Sequence, residues 1–100
     1  MSKSILQTEK ECYVTGSVVN LHRHHVYGGP RRKASEKYGC WIYLRDDYHN
    51  MSNHGIHFDR ELDLRVKREC QIAFEKLHGH QKFMKVFGKN YIMEEENKDV

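Results

Sequence analysis

The sequence has no run of about 18 apolar residues, the length at which a segment becomes a candidate membrane-spanning helix. Its N-terminal stretch lacks the apolar core of a secretory signal peptide, so we expect a cytoplasmic protein. Cysteine is also scarce, and Cys12, Cys40 and Cys70 are odd in number and widely spaced. Such a set is not typical of a disulfide framework, and Cys40 and Cys70 are expected to be buried thiols.

The chain also lacks internal repeats and any linker-like stretch, which argues against several domains. Its 100 residues predict a single domain over 1–100, with a core over about 12–92 and loose ends at 1–10 and 93–100. Apolar residues make up 38% and charged residues 31%, which is typical of a globular chain. A core of this size is modest, so a bound metal or a partner would help to stabilise it.

Short apolar and aromatic stretches predict β-strands in the first half of the chain. Residues 12–14 and 21–27 are expected to form the two arms of a hairpin. Residues 41–44 are Trp-Ile-Tyr-Leu, the stretch with the strongest preference for a strand, and we expect them to pair with strand 21–27. Residues 31–38 fit either a short helix or an ordered loop, closed by Gly39.

The second half of the chain is predicted to be helical. Apolar residues at helical spacing, Leu77 among them, predict a long helix from about residue 58 to about residue 77, ended by Gly79. A shorter helix is predicted over residues 81–87. The expected fold class is α+β, with short antiparallel strands packed on a long C-terminal helix.

Histidine is abundant, with eight residues, and three of them fall at His22, His24 and His25. Neighbouring residues of a strand point to opposite faces, so His24 and His25 can have different roles. Further candidate ligands follow the next strand: His49 in a turn, Asn53 four residues later, and His57 before the long helix.

Imidazole at this density indicates a metal site or proton chemistry. Three protein ligands with open positions are typical of a catalytic metal, and His25 would then be free to accept a proton from water.

Three blocks of the sequence carry a resemblance to a known family. They are L-H-R-H-H-V-Y-G-G at 21–29, R-K-A-S-E-K-Y-G at 32–39, and L-R-D-D-Y-H-N-M-S-N-H-G-I-H-F at 44–58. In this order and at these spacings they resemble the HNH endonucleases, the ββα-metal or His-Me finger nucleases, and most closely small phage and prophage proteins of that family. The resemblance covers about residues 12–92.

The resemblance implies a ββα-metal core that hydrolyses DNA phosphodiester bonds, leaving 5′-phosphate and 3′-hydroxyl ends. It implies that His25 is the general base and that His24 and His49 hold one divalent ion (Mg, Mn, Ni or Zn). For the third ligand we prefer His57, with Asn53 close behind. The ion would stabilise the phosphate and the leaving oxygen.

The sequence departs from the family pattern at two places. Many relatives have C-x-x-C pairs that bind a structural zinc, whereas here the pairs are Cys12 with Thr15 and Arg45 with Tyr48. We therefore predict no structural zinc. The middle Asn of the family name, which helps to orient the base, has no clear counterpart, and a backbone carbonyl or Tyr38 are the alternatives.

The net charge is +3, and basic residues gather beside the histidines. The predicted substrate-binding residues are Arg23, Arg31, Arg32 and Lys33. They would bind DNA phosphates without reading the base sequence. A solvated basic surface is an equally good explanation of these residues. Arg23 could instead form an ion pair with Asp46 or Asp47.

DNA is the expected partner, in the cytoplasm of a bacterial host and without a membrane. A larger phage recombination or packaging protein is a second candidate partner. The alternative function is a non-catalytic nucleic-acid-binding or phage-assembly module with a structural metal or none. The sequence does not indicate whether the substrate is DNA or RNA, or whether one strand or both strands are cut.

Overall fold

The computed structural model describes residues 3–51, 55–56 and 59–92 of the chain. It has the α+β class predicted from the sequence, with one two-stranded antiparallel sheet and helices among the described residues. In chain order the elements are strand β1 (Leu21–His25), a 3₁₀ turn (Gly29–Arg31), helix α1 (Arg32–Tyr38), strand β2 (Trp41–Arg45), a π-helical turn (Asp47–Met51), helix α2 (Arg60–His78) and helix α3 (His80–Phe87).

The sheet pairs the histidine strand β1 with the aromatic strand β2, as predicted. His24 lies opposite Ile42, and His25 lies opposite Trp41 at the end of the ladder. Residues 12–14 form a turn rather than the predicted strand. The N–H of Gly16 donates to the carbonyl of Cys12 at 2.8 Å. This hydrogen bond closes a turn over the residues that were expected to form the first arm of the hairpin.

The N-terminal segment lies along the outer edge of β2. The Ser4 hydroxyl donates to the carbonyl of Trp41 at 2.6 Å, and the N–H of Tyr43 donates to Gln7 Oε1 at 2.8 Å. The N–H of Tyr13 donates to the carbonyl of Tyr43 at 2.8 Å. The sequence suggested a loose lead-in at residues 1–10, but hydrogen bonds from the described part of this segment cover an edge that a third strand would otherwise occupy.

The helices begin and end at residues whose backbone or side chain suits a helix end. Asp59 caps α2, because its carboxylate accepts from the N–H of Leu62 at 3.0 Å. Gly79 follows α2 and Gly88 follows α3, in agreement with the predicted ends. Leu77 does not lie on the buried face of α2 as the sequence suggested, since it is 63% exposed in the last turn of the helix.

The core lies between the inner face of the sheet and the two C-terminal helices. Its fully buried side chains include Ile42 and Leu44 of β2, Phe74 of α2 and Phe83 of α3. All three cysteines are buried free thiols, and the expectation for Cys40 and Cys70 is confirmed. None of the helices in the described ranges combines the length and the apolar character that crossing a membrane requires.

Candidate active site

An open cleft of about 580 Å³ lies where the end of β1, the π-helical turn and the N-terminal half of α2 meet. It is lined by both residues of the His-His pair, by His49 and by several cations. Its lining includes His24, His25, His49, Arg23, Arg32 and Lys67. The cleft therefore brings together the histidine motif of β1 and the histidine that follows β2.

His24 and His49 are neighbours across this cleft. His24 is the fourth residue of β1 and is only 8% exposed. The centroid of its ring lies 5.4 Å from that of His49 in an edge-on arrangement. The ring of His22, two residues earlier on the same strand face, lies 5.3 Å from His49. Its ring belongs to the same group of imidazoles, although no sequence pattern indicated a role for this residue.

The position of His49 is set by the turn that follows β2. Arg45, the last residue of β2, donates two hydrogen bonds to the carboxylate of Asp47, at 2.7 and 2.8 Å. The N–H of the buried Ile56 donates to the carbonyl of Tyr48 at 2.6 Å, which ties the far end of the loop back to the turn. His49 therefore directly follows two residues, Asp47 and Tyr48, that hydrogen bonds hold in place.

His25 points to the opposite strand face from His24 and meets helix α1. Its Nε2 lies 2.9 Å from Oε1 of Glu36. Arg23 donates to both oxygens of the same carboxylate, at 2.9 and 3.1 Å, and its guanidinium lies 3.8 Å from the centre of the Trp41 ring. The hydrogen bond from His25, followed by the contacts with Arg23, lowers the pKa of the Glu36 carboxyl.

Of the four predicted metal ligands, the structure brings two together, His24 and His49. The other two, Asn53 and His57, lie outside the described residues. Within the described ranges no three His, Cys, Asp or Glu side chains form a group that could hold a metal ion. Two neighbouring imidazoles in an accessible cleft are nevertheless donors of the kind that a divalent transition metal binds.

The predicted substrate-binding residues fall in different environments. Arg32 is exposed and lines the cleft, whereas Arg23 lines it while paired with Glu36 rather than with Asp46 or Asp47. Arg31 and Lys33 are exposed and flank Arg32 in the sequence, but they are not among the residues that line the cleft. The guanidinium of Arg31 lies near Gly88, so this residue also approaches the end of α3.

Three residues of the site were missed by the sequence analysis: Glu36, Asp63 and Lys67. Lys67 and Asp63 form an ion pair of 2.8 Å along α2, and both line the cleft. Their i,i+4 spacing was a readable signal of the pair, but not of the surface it faces. Glu36 offered no local signal, because its partners lie 11 and 13 residues away on another element.

No protein-family model, curated protein or solved structure matches this chain.

Proposed function

We propose that the protein is a metal-dependent endonuclease of the HNH type that hydrolyses DNA phosphodiester bonds. The ββα-metal core would consist of β1, β2 and α2. The observation that carries the proposal is the contact between His24 of β1 and His49 of the π-helical turn in one cleft, which His25, the residue after His24, also lines. A purely structural metal site would not need His25, the second histidine of the His24-His25 dipeptide.

His24 and His49 would hold one divalent ion, with Asn53 or His57 as the third protein ligand. The histidines supply nitrogen donors, whereas Asn53 would supply its amide oxygen. Imidazole ligands suit Zn or Ni in binding, while Mg or Mn are also used for phosphate chemistry. When bound, such an ion would supply positive charge that stabilises the phosphate and the leaving oxygen. We keep the prediction that the protein has no separate structural zinc.

His25 would act as the general base. Its imidazole accepts a proton from a water molecule, and the resulting hydroxide oxygen forms a bond to phosphorus. The bond between phosphorus and the 3′ oxygen breaks, and that oxygen leaves and takes a proton from solvent. The products are a 5′-phosphate and a 3′-hydroxyl end.

Cations along the cleft would bind the DNA backbone. Arg32 and Lys67 line the cleft, and Arg31 and Lys33 flank Arg32 in the sequence, which supports contacts with phosphates rather than with base edges. Binding through phosphates predicts an affinity that falls steeply with salt concentration. A domain of this size has little surface for reading sequence, which supports recruitment to its target by a larger phage recombination or packaging protein.

The first test is nicking of supercoiled plasmid by the purified protein with Mg, Mn, Ni or Zn, beside a chelator control. We expect cleavage by the wild type and by His80→Ala, which removes an exposed histidine of α3 that is not among the residues lining the cleft. His25→Ala should abolish cleavage while metal binding, measured by calorimetry, is retained. His24→Ala and His49→Ala should weaken metal binding as well as cleavage.

Normal cutting by His25→Ala would show that the base is assigned to the wrong residue. If the folded wild type binds DNA but cuts it with none of the four metals, the alternative of a non-catalytic nucleic-acid-binding module is favoured. Absence of both metal and DNA binding would instead favour an assembly module without a metal.

A further inference from the structure

Glu36 is the one carboxylate that the structure, in its described residues, places against the proposed general base. It projects from α1 towards β1, and its Oε1 lies 2.9 Å from Nε2 of His25. The sequence suggested a backbone carbonyl or Tyr38 as the group that orients His25, but the side chain in contact with its Nε2 is Glu36. The ring of Tyr38 packs against Phe74 and His78 of α2, at centroid distances of 5.4 and 5.6 Å.

The carboxylate of Glu36 is held in place from two sides. Arg23 and His25 are two residues apart and share one face of β1, so both reach the same side chain. Arg23 donates to both carboxylate oxygens and is itself supported by the ring of Trp41. The guanidinium offsets the negative charge, so the carboxylate can act as a fixed acceptor in a half-buried place.

The backbone that carries Glu36 is anchored by its neighbour. Ser35 is fully buried, and its hydroxyl donates to the carbonyl of Tyr27 at 2.7 Å and accepts from the N–H of Tyr27 at 3.1 Å. This pair of hydrogen bonds joins α1 to the chain just after β1. The backbone of α1 is therefore anchored next to the end of β1, which places the Cα of Glu36 within side-chain reach of His25.

A carboxylate can only accept hydrogen bonds, and the lowered pKa of Glu36 keeps it ionised at neutral pH. In a neutral imidazole one nitrogen carries the hydrogen and the other has a free lone pair. A short contact between an ionised carboxylate and Nε2 therefore requires the hydrogen to be on Nε2. The lone pair of His25 is then on Nδ1.

We infer that Glu36 is a positioning residue that fixes His25 in the Nε2–H tautomer and leaves Nδ1 as its proton-accepting atom. The assignment of Nδ1 as the atom that takes the proton from water rests on the proposed nuclease function. The tautomer itself does not, because it follows from the contact between the two side chains.

The experiment is long-range ¹H–¹⁵N NMR of the histidine rings in the metal-free full-length protein, at a pH where His25 is neutral. We expect the Nε2–H pattern for His25 in the wild type and a mixture of tautomers in Glu36→Ala. Glu36→Gln keeps an acceptor oxygen and should retain most of the Nε2–H form. If Glu36→Ala does not fold, the pattern of His25 in the wild type still tests the inference, because an Nδ1–H pattern there contradicts it.

His80 provides a matched comparison in the same spectrum. Its Nδ1, not its Nε2, lies 2.7 Å from a carboxylate oxygen of Glu75, on an exposed part of α3. Glu75→Ala should change the pattern of His80 and leave that of His25 unaltered. Glu36→Ala should do the reverse.

Plasmid cleavage separates this inference from the proposed function. With Glu36→Ala we expect kcat to fall by about 10- to 100-fold, the usual effect of removing such a supporting group, with the KM for DNA near its wild-type value. Glu36→Gln should recover much of the rate. An Nδ1–H pattern for His25 in the wild type, or an identical pattern in Glu36→Ala, overturns the inference whether or not DNA is cut. If His25 has the expected tautomer but the protein does not cut DNA with any of the four metals, only the proposed function is contradicted.

Discussion

Ser35 has no exposed surface, and both of its hydrogen-bonding capacities are used by the backbone of Tyr27. The same tyrosine donates its hydroxyl hydrogen to the carbonyl of Lys67 in α2 at 2.6 Å. Burial raises the pKa of that hydroxyl, so it stays protonated and remains a donor. Two side chains thus join β1, α1 and α2 around the cleft by hydrogen bonds that none of these elements could make alone.

Glu36 should also make the stability of the protein depend on pH. Its pKa is lowered in the folded state, chiefly by the hydrogen bond from His25, so the folded protein holds the carboxyl ionised to lower pH than the unfolded chain does. The resulting stabilisation is present above the usual pKa of a glutamate, about 4, and is lost as the pH falls through the lowered value.

The measurement is the melting temperature of the wild type and of Glu36→Gln between pH 3 and pH 8. We expect the wild type to melt higher near neutral pH and the difference to shrink at the acid end. Glu9→Gln, a change at an exposed glutamate of the N-terminal segment, is the control and should show no such trend. A constant difference across the whole pH range would contradict the role of this carboxylate.

Helix α1 depends at its C-terminal end on a glycine. Gly39 has a φ of +74° and donates its N–H to the carbonyl of Ser35, which is a left-handed end of the helix. A Cβ at this position would also overlap the backbone carbonyl of Lys3 in the N-terminal segment. One residue therefore determines both how α1 ends and how closely the N-terminal segment can lie against it.

Gly39→Ala should lower the free energy of unfolding by at least about 1–2 kcal/mol, the cost of a left-handed conformation for a residue with a Cβ. The carbonyl of Lys3 must also move, which adds to that cost. Gly28→Ala is the matched control, because Gly28 has a φ of −91° and a Cβ there would meet no atom within 4 Å beyond its chain neighbours. Chemical denaturation of the two variants should differ clearly, and equal midpoints would argue against the close approach.

At the scale of the whole molecule, one aromatic cluster connects the helices. Phe74 of α2 has no exposed surface, and its ring lies 5.4 Å from Tyr38 of α1 and 5.5 Å from Phe83 of α3. Tyr27, just after β1, contacts Phe83 at 5.5 Å and Phe87 at 4.4 Å. Since α1, α2 and α3 share this cluster with the end of β1, we expect the domain to unfold in a single cooperative transition.

Phe74→Ala should lower the free energy of unfolding by about 3–5 kcal/mol, the usual effect of a large cavity in a core. Ile72→Ala removes an aliphatic side chain that is 47% exposed on the same helix, and its effect should stay under about 1 kcal/mol. Urea denaturation followed by both fluorescence and circular dichroism measures these values. Two separate transitions in the wild type would contradict the shared core.

Much of the fold was predictable from local patterns. The aromatic stretch of β2, the apolar spacing of α2 and the glycines after α2 and α3 indicated those elements to within a few residues. The pairing of β1 with β2, and with it the closeness of His24 to His49, followed from placing histidines at the ends of two such strands. These predictions succeeded because strand and helix preferences act over neighbouring residues.

The sequence by itself thus determined where most of the elements lie and that His24 and His49 would come together at the end of the sheet. Only the tertiary structure decided that the N-terminal segment covers the edge of β2, that Lys67 faces the cleft, and that Glu36 meets His25. Each of these contacts joins residues on different elements, and its existence depends on how those elements pack. Local preference carries no information about such packing, because the same side chain could equally have faced solvent.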